Sequence, residues 1–512
     1  MNPMKESLLS SEQLLKQENQ QLKDKVLYLE EQLSWFQKQI FGKKSEKEIK
    51  DLSENEIELP LFGFDNPETK EEVSEVTVPA HIRKKNRNKG QDKISYPDNL
   101  PVESIVLDLS EKEKVCPETN EPLLKIGEEK SQKLAYRPGQ YFIKEIIRPK
   151  YAFPKNSSKD GIVTKDLPGS FIAKTRIDES LLADILTKKF GDHLPLYRIS
   201  EIFERDKIYI SRQVMSQWVL KSGELLTPLR DLMQKKILEN KNAFIDESPL
   251  KMQDKSKKEL HQGYMWLLVG GEEDTPLYKA FFYHLDRKHM HAEKILLNFK
   301  GVLHSDKYGA YENLANEKIF TWAPCWVHIR RKFIEAESGD PKLRKIILRK
   351  IRHLFIFERI GWTKSAEERL KIRQEKEIPI IDDLIKIIKD AFYNKKILPK
   401  SKFKTALNYF CGLIPHLKNY TKHPFSRIDN NVAERAIRPL AISRKNWLFV
   451  GNEKGGQAAA VLLSLIQTCR GLGINPREYL EDVMRRIMDH NNKKLYELLP
   501  DNWQKNKLNN TS

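Results

Sequence analysis

A series of short apolar segments between residues 242 and 326 constrains the fold of this chain more than any other feature. "NAFIDESPLKM", "YMWLLVGG" and "YKAFFYHLDR" are rich in β-branched and aromatic residues and stand at hairpin-like spacing. They read as three strands. "KHMHAEKILLNFK" carries apolar residues at helical spacing, and two more strands follow in "GVLHSDKYGAY" and "KIFTWAPCW". The first strand runs into Asp246 and Glu247, and the fourth reaches Asp306.

Three strands, a helix, a strand and further α/β structure is the element order of a ribonuclease H-like fold, a mixed sheet covered by helices. If that sheet pairs its first strand with its fourth, Asp246 and Asp306 become neighbours despite the 60 positions between them. Asp246 has a rival in Glu247. Successive strand residues face opposite ways, so one of the two joins the cluster, and the shorter Asp246 leaves more room for ions. A third acid stands in "SRIDNNVAERAIRPLAISRKNWLFV", residues 426–450, where Glu434 is followed by Arg435, Arg438, Arg444 and Lys445. A helix capped by Asn430 or Asn431 would bring Glu434 down onto the same sheet edge.

Three carboxylates of this kind suit one chemistry. Cleavage and strand transfer of a phosphodiester need an activated oxygen nucleophile and relief of charge on the phosphate, and two divalent ions supply both. Mg²⁺, or Mn²⁺, is satisfied by a few carboxylates together with water and phosphate oxygens. Without ions the three acids would repel one another and their pKa values would rise.

The surrounding charge fits a polyanionic partner. The chain has 90 Lys+Arg against 72 Asp+Glu, a formal net charge of +18, which favours nucleic acid over an acidic small molecule. Arg438 lies one helical turn after Glu434 on the same face, whereas Arg435 faces elsewhere. Arg444 and Lys445 are placed to clamp a strand, and "CWVHIRRKF" adds His328, Arg330, Arg331 and Lys332 as a second phosphate-contacting cluster. Each of these cations also fits an ordinary solvated surface. Four scattered cysteines with no CxxC pair point to a reduced, cytoplasmic setting, and neither a membrane-length apolar run nor a signal peptide is expected.

Around this core we expect a modular chain. Residues 1–44 repeat Leu15, Leu22, Leu29 and Phe36 every seven positions, with Asn19, Val26, Leu33 and Ile40 in the complementary register; this predicts a coiled coil and a homo-oligomer. Residues 45–95 read as a linker ending in the basic arm "HIRKKNRNKG", which is either a phosphate contact or a solvated tether. A small β-rich module is expected over 96–160. A helical module over 175–236, either helix-turn-helix-like or an ordinary bundle, has Ser211 as the N-cap of the helix that carries Arg212. The catalytic α/β domain should span 240–450 with a helical insertion at about 337–400, followed by two C-terminal helices within 451–500.

The blocks "FGKKSEK", "LPLYRISEIFERDKIYISRQVMSQWV", "FIDESPLKM", "HSDKYGAY", "CWVHIRRKF" and "IDNNVAERAIRPLAISRKNWLFVGNEKGG" together resemble the large transposase of bacterial insertion-sequence family sixty-six, a DDE-type enzyme. The resemblance implies that Asp246, Asp306 and Glu434 are its catalytic triad and that it cleaves element ends and joins the 3′-hydroxyl to target DNA, with accessory transposition proteins among its candidate partners. It also implies a zinc module with paired cysteines. Here only Cys116 stands at such a position, with Phe153 and Asn156 where partners are expected, so the expectation is two Mg²⁺ or Mn²⁺ ions and no zinc. Two other readings stay open: a decayed copy that binds DNA without cutting it, and a nuclease of the same fold that resolves branched DNA.

Overall fold

The computed structural model describes residues 100–509 apart from 120, 138, 154–160, 168, 255–258, 272–277, 318–319, 338 and 395–396. The expected coiled coil and the basic arm lie outside the described residues. The first unit is a small sheet. Strands β2 (Leu124–Arg137) and β3 (Gln140–Ala152) form a long antiparallel hairpin, β1 (Val102–Val106) adds in parallel to β3, and β4 (Ile162–Thr164) pairs with β3 at Lys150–Ala152. Its small core gathers Leu109, Cys116, Leu123 and Tyr151.

Three helices follow: α1 (Glu179–Phe190), α2 (Leu196–Arg205) and α3 (Arg212–Leu238). Asp178 caps α1 by accepting from the Ser180 amide, and Ser211 caps α3 by accepting from the Val214 amide. Short polar side chains of this kind satisfy amides that have no partner within the helix. The helical unit is joined to the small sheet at Leu134, whose amide donates to the Arg176 carbonyl at 2.7 Å.

The central sheet contains β5 (Asn242–Asp254), β6 (Glu259–Gly270), β7 (Tyr278–His284), β8 (Val302–Ser305) and β9 (Thr321–Pro324), in the order β7-β6-β5-β8-β9. β5, β6 and β7 form an antiparallel meander, while β8 runs parallel to β5 and β9 parallel to β8. The first strand therefore pairs with the fourth. The parallel steps need crossovers, supplied by α4 (His289–Leu296) before β8 and α5 (Gly309–Asn316) before β9.

After β9 the chain is mostly helical: α6 (Trp326–Glu335), α7 (Pro341–Gly361), α8 (Ala366–Ile372), a π-helical turn at Arg373–Glu377, α9 (Ile378–Phe392) and α10 (Lys402–Cys411). It then returns to the sheet as α11 (Asn431–Trp447), which packs on β5 and β6. α12 (Glu453–Gly471) buries its Ala- and Leu-rich stretch against β7 and α3. Gly223 of α3 permits that approach: a Cβ there would lie 2.5 Å from the Cα of Ala458. α13 (Pro476–Arg486) begins with Pro476 behind the cap Asn475, and α14 (Pro500–Asn509) closes the described chain. No described helix is long and apolar enough to cross a membrane.

Candidate active site

The parallel register of β5 and β8 places the two aspartates. Asn242, Ala243 and Phe244 pair with Val302, Leu303 and His304, a constant offset of 60. Carried two residues further, the same offset sets Asp246 level with Asp306, one residue beyond the end of β8. Alternation by two puts Asp246 on the face where the Phe244 and His304 rings stack with centroids 4.6 Å apart. Burial pushes the Asp246 carboxyl well above the usual range, and the charges of Glu247, Asp306 and Glu434 push it the same way. Asp306 rises to about 6, chiefly through burial and Glu247, with Arg287 opposing the shift and Glu434 adding to it. The acids thus lie within electrostatic reach of one another.

Glu247 faces the opposite way and is occupied. The Arg287 Nε donates to its Oε1 at 2.7 Å, the Arg287 Nη2 also bonds it, and the Tyr311 hydroxyl donates to Oε2 at 2.7 Å. Its side chain is 2% exposed. Asp246 accepts the Glu247 amide at 2.9 Å. Strand alternation thus sets Asp246, and not Glu247, on the Phe244 face of β5.

Delivery of Glu434 starts in the helical insertion. Arg373, fully buried, holds both oxygens of Glu358 at 2.5 and 2.9 Å. Its remaining donors reach the carbonyls of Tyr420, His423 and Ser426, and Arg369 Nη1 reaches that of Pro424 at 2.8 Å. The segment entering α11 is thus held from within the insertion. The Asn430 Nδ2 then donates to the carbonyl of Ile245 at 2.9 Å, and its backbone amide donates to the Cys325 Sγ at 3.3 Å. Asn430 stands at the cap position, but its side chain makes no capping bond; the Asn431 amide is accepted by Asp429 instead. The expected cap is in fact a tie between the helix and the strand residue that precedes Asp246.

Glu434 lies in the first turn of α11. Burial, reinforced by Asp429, raises its carboxyl against the pull of Arg331, Arg438 and Arg435. Its Oε1 is buried without a hydrogen bond and stands 3.7 Å from the His328 Nδ1, which is likewise unbonded. Burial lowers the His328 imidazole to about 4, so the ring is neutral at pH 7. Donor atoms of Cys325, His328 and Glu434 lie within 4.8 Å of one another, and among the described residues no other set of three such side chains does. Glu434 therefore faces His328 and Cys325 more closely than it faces the two aspartates.

The basic residues divide. Arg331 and Arg438 act on Glu434, and Arg330 and Lys332 are half-buried on the same helix as Arg331. Arg444 Nη1 bonds the Ser248 Oγ at 3.1 Å and the Pro249 carbonyl at 2.9 Å, so this expected DNA clamp braces α11 against β5. Lys445 and Arg435 are exposed, as is Arg212 at the start of α3. The sequence reading missed Arg373, Glu358, Arg287 and Cys325. Asn430 alone carries a signal, as one of two candidate caps.

Comparison with known proteins supplies the setting. The model of the transposase IS66 family matches residues 174–458, the IS66 C-terminal element matches 464–500, and "Transposase C of IS166 homeodomain" matches 28–105. Three Sinorhizobium fredii proteins are similar along most of the chain. The uncharacterized protein y4qI is 32% identical over 71% of this chain and 68% of its own length, y4hP 29% over 94% and 89%, and y4jD 30% over 80% and 81%. The zinc-finger binding domain of transposase IS66 matches residues 113–155. That match corrects the expectation of no zinc. Of the four nitrogen or sulfur ligands that a structural zinc takes, the matched segment carries Cys116, which is 0% exposed against Leu123 and Tyr151. Outside that segment, a second donor set stands at Cys325, His328 and Glu434.

Proposed function

Because the chain belongs to the transposase IS66 family, we propose that it cleaves DNA at the ends of its element and joins the freed 3′-hydroxyl to target DNA, with Asp246, Asp306 and Glu434 as the acids that hold divalent cations. The observation that carries this reading is the parallel pairing of β5, which carries Asp246, with β8, which ends one residue before Asp306, together with both carboxyls being raised by burial and by neighbouring acids. Buried carboxylates that repel one another suit hard cations such as Mg²⁺. Bound there, such ions supply an activated oxygen nucleophile and relief of phosphate charge. The order β7-β6-β5-β8-β9, with β6 alone running against the other four, supports a ribonuclease H-like domain.

The chain's own residues position the reaction. The Arg287 and Tyr311 bonds to Glu247 hold the β5 backbone that presents Asp246, and Asn430 sets the height of Glu434 against that strand. Arg331 and Arg438, whose charges act on Glu434, are the cations this reading assigns to the phosphate. A reduced cytoplasmic setting and an oligomer built on the N-terminal heptads belong to the same reading.

The deciding experiment assays cleavage of element-end DNA in Mg²⁺ by wild type and Asp306→Asn. The variant should bind end DNA and leave it uncut; cleavage at the wild-type rate refutes the assignment. A second reading, a chain that binds DNA without cutting it, draws on the placement of Glu434 beside His328. Cleavage by the wild-type protein that stops with EDTA excludes it.

A further inference from the structure

Two helix N-termini meet at the edge of the central sheet. Cys325 is the N-cap residue of α6, His328 stands three positions later in its first turn, and Glu434 is in the first turn of α11. Spacing of i and i+3 puts the thiol and the imidazole on one side of the helix. The two helices are fastened there: the Trp326 amide donates to the Ile428 carbonyl at 3.0 Å, and the Asn430 amide donates to the Cys325 Sγ. The Cys325 amide in turn donates to the carbonyl of Ser305, the residue before Asp306.

Two of the three donors are left unfinished by the protein. The His328 Nδ1 and Glu434 Oε1 are buried without hydrogen-bond partners, and their 3.7 Å separation is too long for a bond between them. Buried polar groups are normally satisfied, so two orphans facing each other call for a third body. In a tetrahedral zinc site, bond lengths of about 2.0–2.3 Å put neighbouring ligand atoms roughly 3.3–3.5 Å apart. The present spread, within 4.8 Å, is wider than that. Thiolate, imidazole and carboxylate together select zinc-like ions, whereas Mg²⁺ avoids sulfur. The Asn430 amide supplies the outer hydrogen bond that orients a ligating thiolate.

We propose that Cys325, His328 and Glu434 bind a thiophilic divalent cation of the zinc class, with a fourth position open, and that its binding withholds the Glu434 carboxylate from Asp246 and Asp306. Binding displaces the thiol proton to solvent. The first half stands on the geometry alone, and the second rests on the reading of those acids as cation ligands. The site would thus make cleavage sensitive to the competition between a soft and a hard ion for one carboxylate.

The full-length reduced chain, without DNA, is titrated with Co²⁺ and followed by absorption. A thiolate-to-cobalt charge-transfer band should appear, vanish in Cys325→Ser, survive in Cys116→Ser and bleach on adding Zn²⁺. His328→Gln should weaken Co²⁺ binding on the order of tenfold or more. No thiolate band, or a band that persists in Cys325→Ser, overturns the site. Should Cys325→Ser fail to fold, the wild-type protein decides: Zn²⁺ should slow alkylation of Cys325, read by peptide mass spectrometry, and an unchanged rate overturns the proposal. Zn²⁺ at the bleaching concentration should also suppress Mg²⁺-supported end cleavage; undiminished cleavage overturns the withholding of Glu434. Because the cobalt band is read without DNA or turnover, its absence leaves the transposase reading intact, and an active Asp306→Asn variant leaves the cobalt result intact.

Discussion

At the scale of single residues, the site is a set of acids whose protonation is set by how much water each has lost. Asp306 makes a clear case. Its folded pKa, about 6, stands above the ordinary value of 3.8, so its contribution to stability is fully present below about pH 4 and is lost as pH rises through 6. The cation-free protein should therefore lose roughly 2 kcal/mol from this group between pH 4 and 7. Thermal melts in EDTA check this: Asp306→Asn should flatten the pH dependence over that window. Glu247→Gln tests the neighbouring charge. It removes a carboxylate that raises both Asp246 and Asp306, so the Asp306 titration read by NMR should move down, while the weakened bond to Arg287 costs about 1–2 kcal/mol in chemical unfolding. An unmoved titration would mean that burial alone sets Asp306. The sequence named Asp246, Asp306 and Glu434 because acids at strand ends and beside cations stand out in a string. It could not show that Glu247 is bonded to Arg287 and Tyr311, since those partners lie 40 and 64 positions away.

At the scale of elements, the helical insertion has a positional role that its sequence does not announce. Arg373 sits on a π-helical turn, and irregularities of this kind re-aim side chains. It reaches Glu358 and the carbonyls that precede α11. Arg373→Met should leave Glu358 buried and unpaired, costing about 3–5 kcal/mol, and end cleavage should fall with it. Glu358→Leu combined with Arg373→Met should recover much of the stability, because an apolar pair avoids the lone charge. A double variant no more stable than the single one would contradict that account. Asn430→Ala tests the tie to β5. Losing the bond to Ile245 should cost about 1–2 kcal/mol and speed amide hydrogen exchange in the first turn of α11 relative to its last. The helices themselves were legible from apolar spacing and from the cap Ser211. Asn430 was misread because a polar residue before a helix usually caps it, and only packing shows that its amide group is taken by a strand.

At the scale of the whole molecule, the net charge of +18 and the exposed Arg212, Arg435 and Lys445 predict a steep salt dependence of DNA binding. Removing one cation from a phosphate should lower the slope of log K against log salt by about one. Arg212→Ala and Lys445→Ala should each do so, whereas Arg444→Ala should act mainly on stability, since its guanidinium is bonded to Ser248 and Pro249. Filter binding across a salt series separates the two effects, and equal slopes for all three variants would remove Arg212 and Lys445 from the interface. By itself the sequence determined the mixed α/β character, the strand series with its acids and the likeness to a transposase family, because periodicity, turn residues and local motifs are properties of neighbours along the chain. The tertiary structure decided which strand pairs with which, which of two adjacent acids is bonded to Arg287 and Tyr311, what holds the segment before Glu434 and which thiol and imidazole that acid meets. Each of those depends on groups tens to nearly two hundred residues apart, brought together only when the sheet closes and buries them.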